Sequence, residues 1–463
     1  MRKKWGWKAF SLLLFIIGGI TAVLLARNSQ HLWGDASYQP ATIQVDASAV
    51  IGPLPRPWAN YAQGGEDHAW RIGTLTQQMR ALRPEYVRID HIYDFYDVVS
   101  GTSGNLQFDF SKLDLVLDDI AALGAKPYIA LSYTPTQLAE DGSIVGKPIN
   151  YNDWQTIVAR TIQHISGTRK TADVYYEVWN EPDLFGGWKY SGNKNYLDLY
   201  GASARGAASV RGVQPFKIGG PATTALYKNW VTALASYVQR NNYRLDFISW
   251  HRYSPDVDVY RKDMSDIRQW TNDLQPPLPG LEFHITEWGH NSDIDPGYDT
   301  TYGAAHTVAG ALEMIGVIER AFVFEIQDGK GPDGKTHWGR WGLFTHTSAG
   351  SQAKPRYNAL RLLEQLGTER LQLLGKGTYV KAVATRRPTG EVVLALVNFD
   401  PSGRNSENVP ITIKNGDASK SAVEIRYLSR ATSTRTATPT SDGLGLQTVV
   451  PLQPFDVAIV TFK

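Results

Sequence analysis

Cysteine is absent from the 463 residues, which excludes thiol catalysis, disulfides and thiolate-held metal. Net charge is almost absent as well. Lys and Arg number 47 against 45 Asp and Glu, a formal +2. Such a balance gives no electrostatic case for nucleic acid or for an acidic lipid surface. Nothing in the composition suggests wholesale disorder, since 42% of residues are hydrophobic and 20% charged. Aromatics are in surplus, with 14 Trp and 23 Tyr. Sugar rings have apolar faces that stack on such side chains, although most large aromatics belong to a core.

The N-terminus carries Arg2, Lys3, Lys4 and Lys8 ahead of the uncharged stretch 9–26, which Arg27 closes. That stretch is longer than the usual core of a signal peptide and sits at the lower limit for a membrane span. Its end, Val23-Leu24-Leu25-Ala26, is a poor cleavage site. An uncleaved membrane anchor within residues 1–30 is therefore expected, with a removed signal peptide as the alternative. Either places the rest of the chain outside the cytoplasm, periplasmic, extracellular or secreted.

Strand-like and helix-like segments then alternate, the pattern of an α/β chain. Apolar runs suited to buried parallel strands include Tyr86-Val87-Arg88-Ile89, Val174-Tyr175-Tyr176-Glu177-Val178 and Phe283-His284-Ile285. Trp58-Ala59-Asn60 is proposed as the first of eight. Leu113, Val116, Leu117, Ile120 and Leu123 share one helical face, stopped by Gly124. The expected fold is a (β/α)8 TIM barrel over 53–366; spacing alone leaves a doubly wound sheet open. Residues 367–463 read as a β-sandwich, with 38–52 supplying a strand that pairs with it. The Ser/Thr-rich segment 431–443 reads as a surface loop.

Two carboxylates end strands on the same rim. Val178-Trp179-Asn180-Glu181-Pro182 closes the fourth strand, where Pro182 cannot continue a ladder. His284-Ile285-Thr286-Glu287-Trp288-Gly289 closes the seventh. The C-terminal rim is where barrel enzymes place their chemistry. Two facing carboxyls suit glycosidic bond cleavage, one to protonate the leaving oxygen and one to attack or to activate water. Each Glu taken alone could equally be a rim residue paired with Arg or Lys. Asn180 suits a hydrogen bond to a sugar hydroxyl. Trp179, Trp188 and Trp288 flank the carboxylates, and at least one is expected to floor the sugar site. The loop from about 327 to 354, with Trp338, Arg340 and Trp341, reads as a cleft wall. His284, His290, His337 and His346 have no metal-ligand spacing, and no cofactor or metal is expected.

From Trp58 to Leu366 these segments resemble glycoside hydrolase family 39 of clan A, which includes β-xylosidases and α-L-iduronidases. The likeness rests on Arg88-Ile89-Asp90, Tyr133-Thr134-Pro135, Glu177 to Leu184 followed by Trp188, Gly219-Gly220-Pro221, Trp250-His251-Arg252-Tyr253, the Glu287 motif and Lys354-Pro355-Arg356-Tyr357. It implies Glu181 as acid/base and Glu287 as nucleophile of a retaining double displacement, and Arg88 and Tyr253 as the groups that keep Glu287 ionised. It makes His251 similar to a His that contacts the sugar or supports the site. Asp90-His91 departs from the xylosidase pattern, and so does Phe324 to Asp328 at the end of strand eight, where a Trp often stands. These departures look more like the branch of membrane-anchored endo-acting exopolysaccharide hydrolases. A polysaccharide substrate and attachment to the membrane through the N-terminal helix follow as expectations. A catalytically silent glycan-binding barrel and a structural export protein are the competing readings.

Overall fold

The computed structural model describes residues 38–463 apart from 65–66, 275–277, 418–421, 429–431, 442 and 444. The expected anchor in residues 1–30 lies outside the described residues. Among those described, no helix is long and apolar enough to cross a membrane.

Eight parallel strands close into a barrel, which settles the choice against an open sheet. They are Asn60–Gln63, Tyr86–Ile89, Lys126–Leu131, Val174–Val178, Phe216–Thr223, Phe247–Tyr253, Glu282–Gly289 and Arg320–Phe324. The first begins two residues later than the sequence suggested. Pro57, without an N–H to give a ladder, starts a 3-10 turn over Pro57–Ala59, and the strand follows it.

Helices cover the outside as the periodicity foretold. One spans Ser111–Ala122 with Leu113, Val116, Leu117 and Ile120 buried, and Gly124 just beyond adopts φ 80°, a left-handed stop. The barrel interior is filled, not hollow. Tyr86, Tyr128, Tyr175, Phe247 and Phe322 form one aromatic cluster inside it, Tyr128 stacking on Tyr175 with centroids 5.3 Å apart. Above this plug the same strands turn Arg88, Glu177 and His251 inward, because side chains two apart share a face.

The second domain is one ten-stranded sheet, and it is larger than the sequence suggested. The strands Glu369–Leu374, Val380–Arg386 and Leu446–Leu452 were not read from sequence. Nor is 431–443 simply a loop: Thr432–Ala437 pairs antiparallel with Val423–Leu428, and Thr440–Ser441 with Leu446–Leu452. Threonine's branched side chain suits a strand, and that propensity outweighed the polar composition. Strands far apart in the sheet order, such as Glu407–Lys414 and Val423–Leu428, share one core, so the sheet folds over on itself. In Val392–Asn398 both faces are buried. Leu394 and Leu396 enter that core, while Val393, Ala395 and Val397 join the core of the barrel.

Ile43–Pro53 precedes the barrel in sequence yet sits inside this sheet, parallel to Glu407–Lys414 and antiparallel to Glu369–Leu374. Ile43 and Val45 are fully buried there. Ile43→Ala should therefore cost about 2–5 kcal/mol of stability, as cavity-forming core substitutions do. Urea unfolding followed by fluorescence checks this, and a midpoint like that of the unmodified protein would contradict it.

Candidate active site

A one-residue irregularity in strand seven decides which side chain reaches the centre. Ile285 pairs with Trp250, but the next pair is Glu287 with His251, leaving Thr286 as an extra residue. This bulge turns Glu287 inward beside His251, where strict alternation would have placed Thr286. Glu181 arrives differently. Strand four stops at Val178, and Trp179 and Glu181 adopt φ 74° and 45°, in the left-handed region that side chains seldom occupy. The Glu181 N–H donates to the Ala222 carbonyl at 2.9 Å, which fixes the turn.

The two carboxylates meet. One oxygen of each lies within 4.8 Å of the other, with His251 between them. The His251 Nδ1 is 2.7 Å from Glu181 Oε1 and 3.4 Å from Glu287 Oε2. Arg88, wholly buried, donates from Nη1 to Glu287 Oε1 at 3.0 Å, from Nε to Glu177 Oε2 at 2.8 Å and from Nη2 to Asn180 Oδ1 at 2.7 Å. The Tyr253 hydroxyl donates to Glu287 Oε2 at 2.9 Å. Asn180 in turn donates to the Tyr133 hydroxyl at 3.0 Å, so its amide is held at both ends.

Charge and burial compete at Glu287. Burial pushes its carboxyl up, to about 7, against the downward pull of His251 and Arg88, and the carboxylates of Glu181 and Asp90 add to the rise. The sequence led us to expect Arg88 and Tyr253 to hold it low, so this is a correction: both donors are present, but desolvation outweighs them. His251 responds in the opposite sense. Burial alone would lower its pKa, yet Glu287 and Glu181 raise it above the ordinary histidine value.

A cleft of about 920 Å³ opens over the pair. Asp90, Tyr133, Asn180, Glu181, Tyr253 and Glu287 line it, with Phe324, Trp338 and Trp341 as one wall. Phe324 ends strand eight, and the two indoles come from the loop that follows it. Lys354 ties it down through Asp328 at 2.6 Å and Asp299 at 2.7 Å. Trp338 and Trp341 meet edge to face, 6.2 Å between centroids. Arg340 pairs with Asp299 and does not line the cleft. Leu184 and Phe185, just after the Glu181 turn, add exposed apolar surface.

Four candidate sugar contacts are corrected. Trp179, Trp188 and Trp288 are fully buried and none lines the cleft. Trp288 follows an inward residue on a strand and so points outward, onto Tyr260. Trp179 packs between Tyr133 and Trp188, propping the turn from behind. His251 is also sealed from the cleft and, like the equally buried Arg88, reaches the carboxylates instead. Glu177 was overlooked as a site residue. Its signal was in the sequence: an acid within an apolar strand must be buried and therefore paired.

Glu181, His251 and Glu287 present donor atoms close enough to hold a cation. Arg88 already supplies positive charge to the same carboxylate, which disfavours a second cation there.

A closed parallel barrel whose C-terminal rim joins two carboxyls in one cleft defines the class of barrel glycosidases. Comparison narrows this. The profile of glycosyl hydrolases family 39 matches residues 42–442, and the chain belongs to that family. It is 28% identical over 327 residues to a β-xylosidase of Geobacillus stearothermophilus, covering 63% of this chain and 62% of that enzyme. It is 25% identical over 417 residues to a β-xylosidase of Caldicellulosiruptor saccharolyticus, 80% and 82% of the two chains. In structure it resembles the GH39 enzyme from Xanthomonas axonopodis pv. citri, with a TM-score of 0.71 at 20% identity over 92% of this chain and 97% of that one.

The titration at Glu287 gives a prediction. A nucleophile must be ionised, so kcat/KM should rise with pH along an acid limb near 7, with about a tenth of full activity one unit below the midpoint. Tyr253→Phe removes a donor to the charged form, which raises the Glu287 pKa further. The limb should move up by about one unit. An unmoved limb in the pH profile would contradict the role of Tyr253.

Proposed function

We propose that the protein is a retaining glycoside hydrolase acting on a cell-surface or secreted polysaccharide, with Glu287 as nucleophile and Glu181 as acid/base. The observation that carries the reading is the spacing of the two carboxylates, within 4.8 Å oxygen to oxygen. Retaining enzymes hold their carboxyls ~5–5.5 Å apart, whereas inverting ones leave ~6.5–9.5 Å for a water.

Glu287 attacks the anomeric carbon while Glu181 gives its proton to the departing oxygen. The glycosidic bond breaks and an ester to Glu287 forms. Glu181 is now charged, and His251 beside it at 2.7 Å stabilises that charge. Water then enters, Glu181 takes its proton, and the ester is displaced. Two inversions restore the starting configuration. Arg88 and Tyr253 hold the departing Glu287 carboxylate again at the end.

The aromatic wall at Trp338 and Trp341, with the apolar Leu184 and Phe185, supports a substrate longer than one sugar. The basic flank and uncharged stretch before residue 27 support a barrel anchored outside the cytoplasm. A second reading, exo-action on short β-xylosides, is favoured by the names of the two relatives.

Glu181→Gln keeps the shape but removes the proton. On substrates with poor leaving groups kcat should fall by about 10²–10⁴, and much less on an activated aryl glycoside. Added azide should restore turnover by attacking the glycosyl ester. Equal losses on both substrates, without azide rescue, would contradict the assignment.

A further inference from the structure

Asp90 stands apart among the groups that line the cleft. It is only 6% exposed, and its Oδ1 has no hydrogen-bond partner. A buried carboxylate oxygen left unsatisfied is costly, and native structures seldom keep one without a reason. Its position supplies a reason. It lies two residues past Arg88, at the mouth of strand two, and its charge is felt at Glu287 and at Tyr133. A sugar held for attack by Glu287 would bring hydroxyl donors to it.

The charges around it restrict which sugar that is. Four carboxylates line the cleft: Asp90, Glu181, Glu287 and Asp293. Apart from Lys330, the basic groups nearby are already engaged, His91 by Asp94 at 2.7 Å. Arg88 is shared between Glu177 and Glu287, and His251 between Glu181 and Glu287. Arg252 is held by Asp263 at 2.6 and 2.7 Å. Lys330 lines the cleft from the exposed loop after strand eight. A sugar acid bound beside Glu287 would face Asp90 among basic groups that other carboxylates already hold.

We propose that Asp90 selects the sugar unit bound beside Glu287, accepting hydrogen bonds from the hydroxyls of a neutral ring and rejecting a ring that carries a carboxylate. The inference rests on the reading of Glu287 as nucleophile, since that places the ring. It concerns recognition, so binding tests it separately from turnover.

The experiment uses the whole protein and its Asp90→Asn variant in slightly alkaline buffer, where carboxylates are ionised. Methyl glycosides of glucose, galactose and mannose are each compared with the corresponding uronide, with affinity read by ligand-observed NMR. At least one neutral glycoside should bind, and its uronide should bind at least about tenfold more weakly. Asparagine keeps the shape without the charge, so the variant should narrow that gap to about threefold or less. A uronide that binds the unmodified protein as tightly as its neutral partner would overturn the proposal, whether or not the variant folds. So would a gap that Asp90→Asn leaves unchanged, or the failure of every neutral glycoside to bind. Selective binding without hydrolysis would instead count against the catalytic reading and leave this one standing.

Discussion

Within the barrel, one guanidinium sets the geometry of everything above it. Arg88 is fully buried, and its three nitrogens reach Glu177, Glu287 and Asn180. A charge buried so deeply is tolerable only when paired and hydrogen-bonded, and removing one partner of such a pair costs about 3–5 kcal/mol. The same requirement fixes the catalytic groups. Glu287 is held at one oxygen by Arg88 and at the other by Tyr253, so its carboxylate has a single orientation. Asn180 is anchored next to Glu181, which steadies the turn that presents the proposed acid. Strands two, four, six and seven thus meet at one point, above the buried aromatic plug.

Several of these features could be read from the sequence. Rim carboxylates after strands four and seven, a strand-two arginine and a strand-six tyrosine are short-range patterns, visible because strand ends carry them. Apolar runs showed the barrel strands because parallel strands are buried on both faces. The bulge in strand seven was not legible. Simple alternation puts Ile285 and Glu287 on the same face, yet Ile285 lies in the outer core and Glu287 in the cleft. Nor could sequence show which tryptophans meet sugar. Proximity in the chain favoured Trp179 and Trp288, but adjacent residues point apart, and the cleft's indoles come from Trp338 and Trp341 on a distant loop. Polar strands such as Thr432–Ala437 were missed because their neighbours in the sheet, not their own hydrophobicity, make them strands.

The site also shows why a list of partners does not give a protonation state. Glu287 has a guanidinium and a hydroxyl on its oxygens, and its pKa nevertheless rises, because burial acts on the whole group. The charge of Glu181 so near adds to that rise. His251, raised by the same two charges, can hold positive charge between them.

The carboxylate separation makes one claim about the reaction that can be observed directly. When the protein cleaves a glycoside of known anomeric form, proton NMR resolves the anomer released before mutarotation mixes the two. Carboxyls within 4.8 Å, too close to admit a water between them and the sugar, predict a first product with the configuration of the substrate. A first product of inverted configuration would contradict the account.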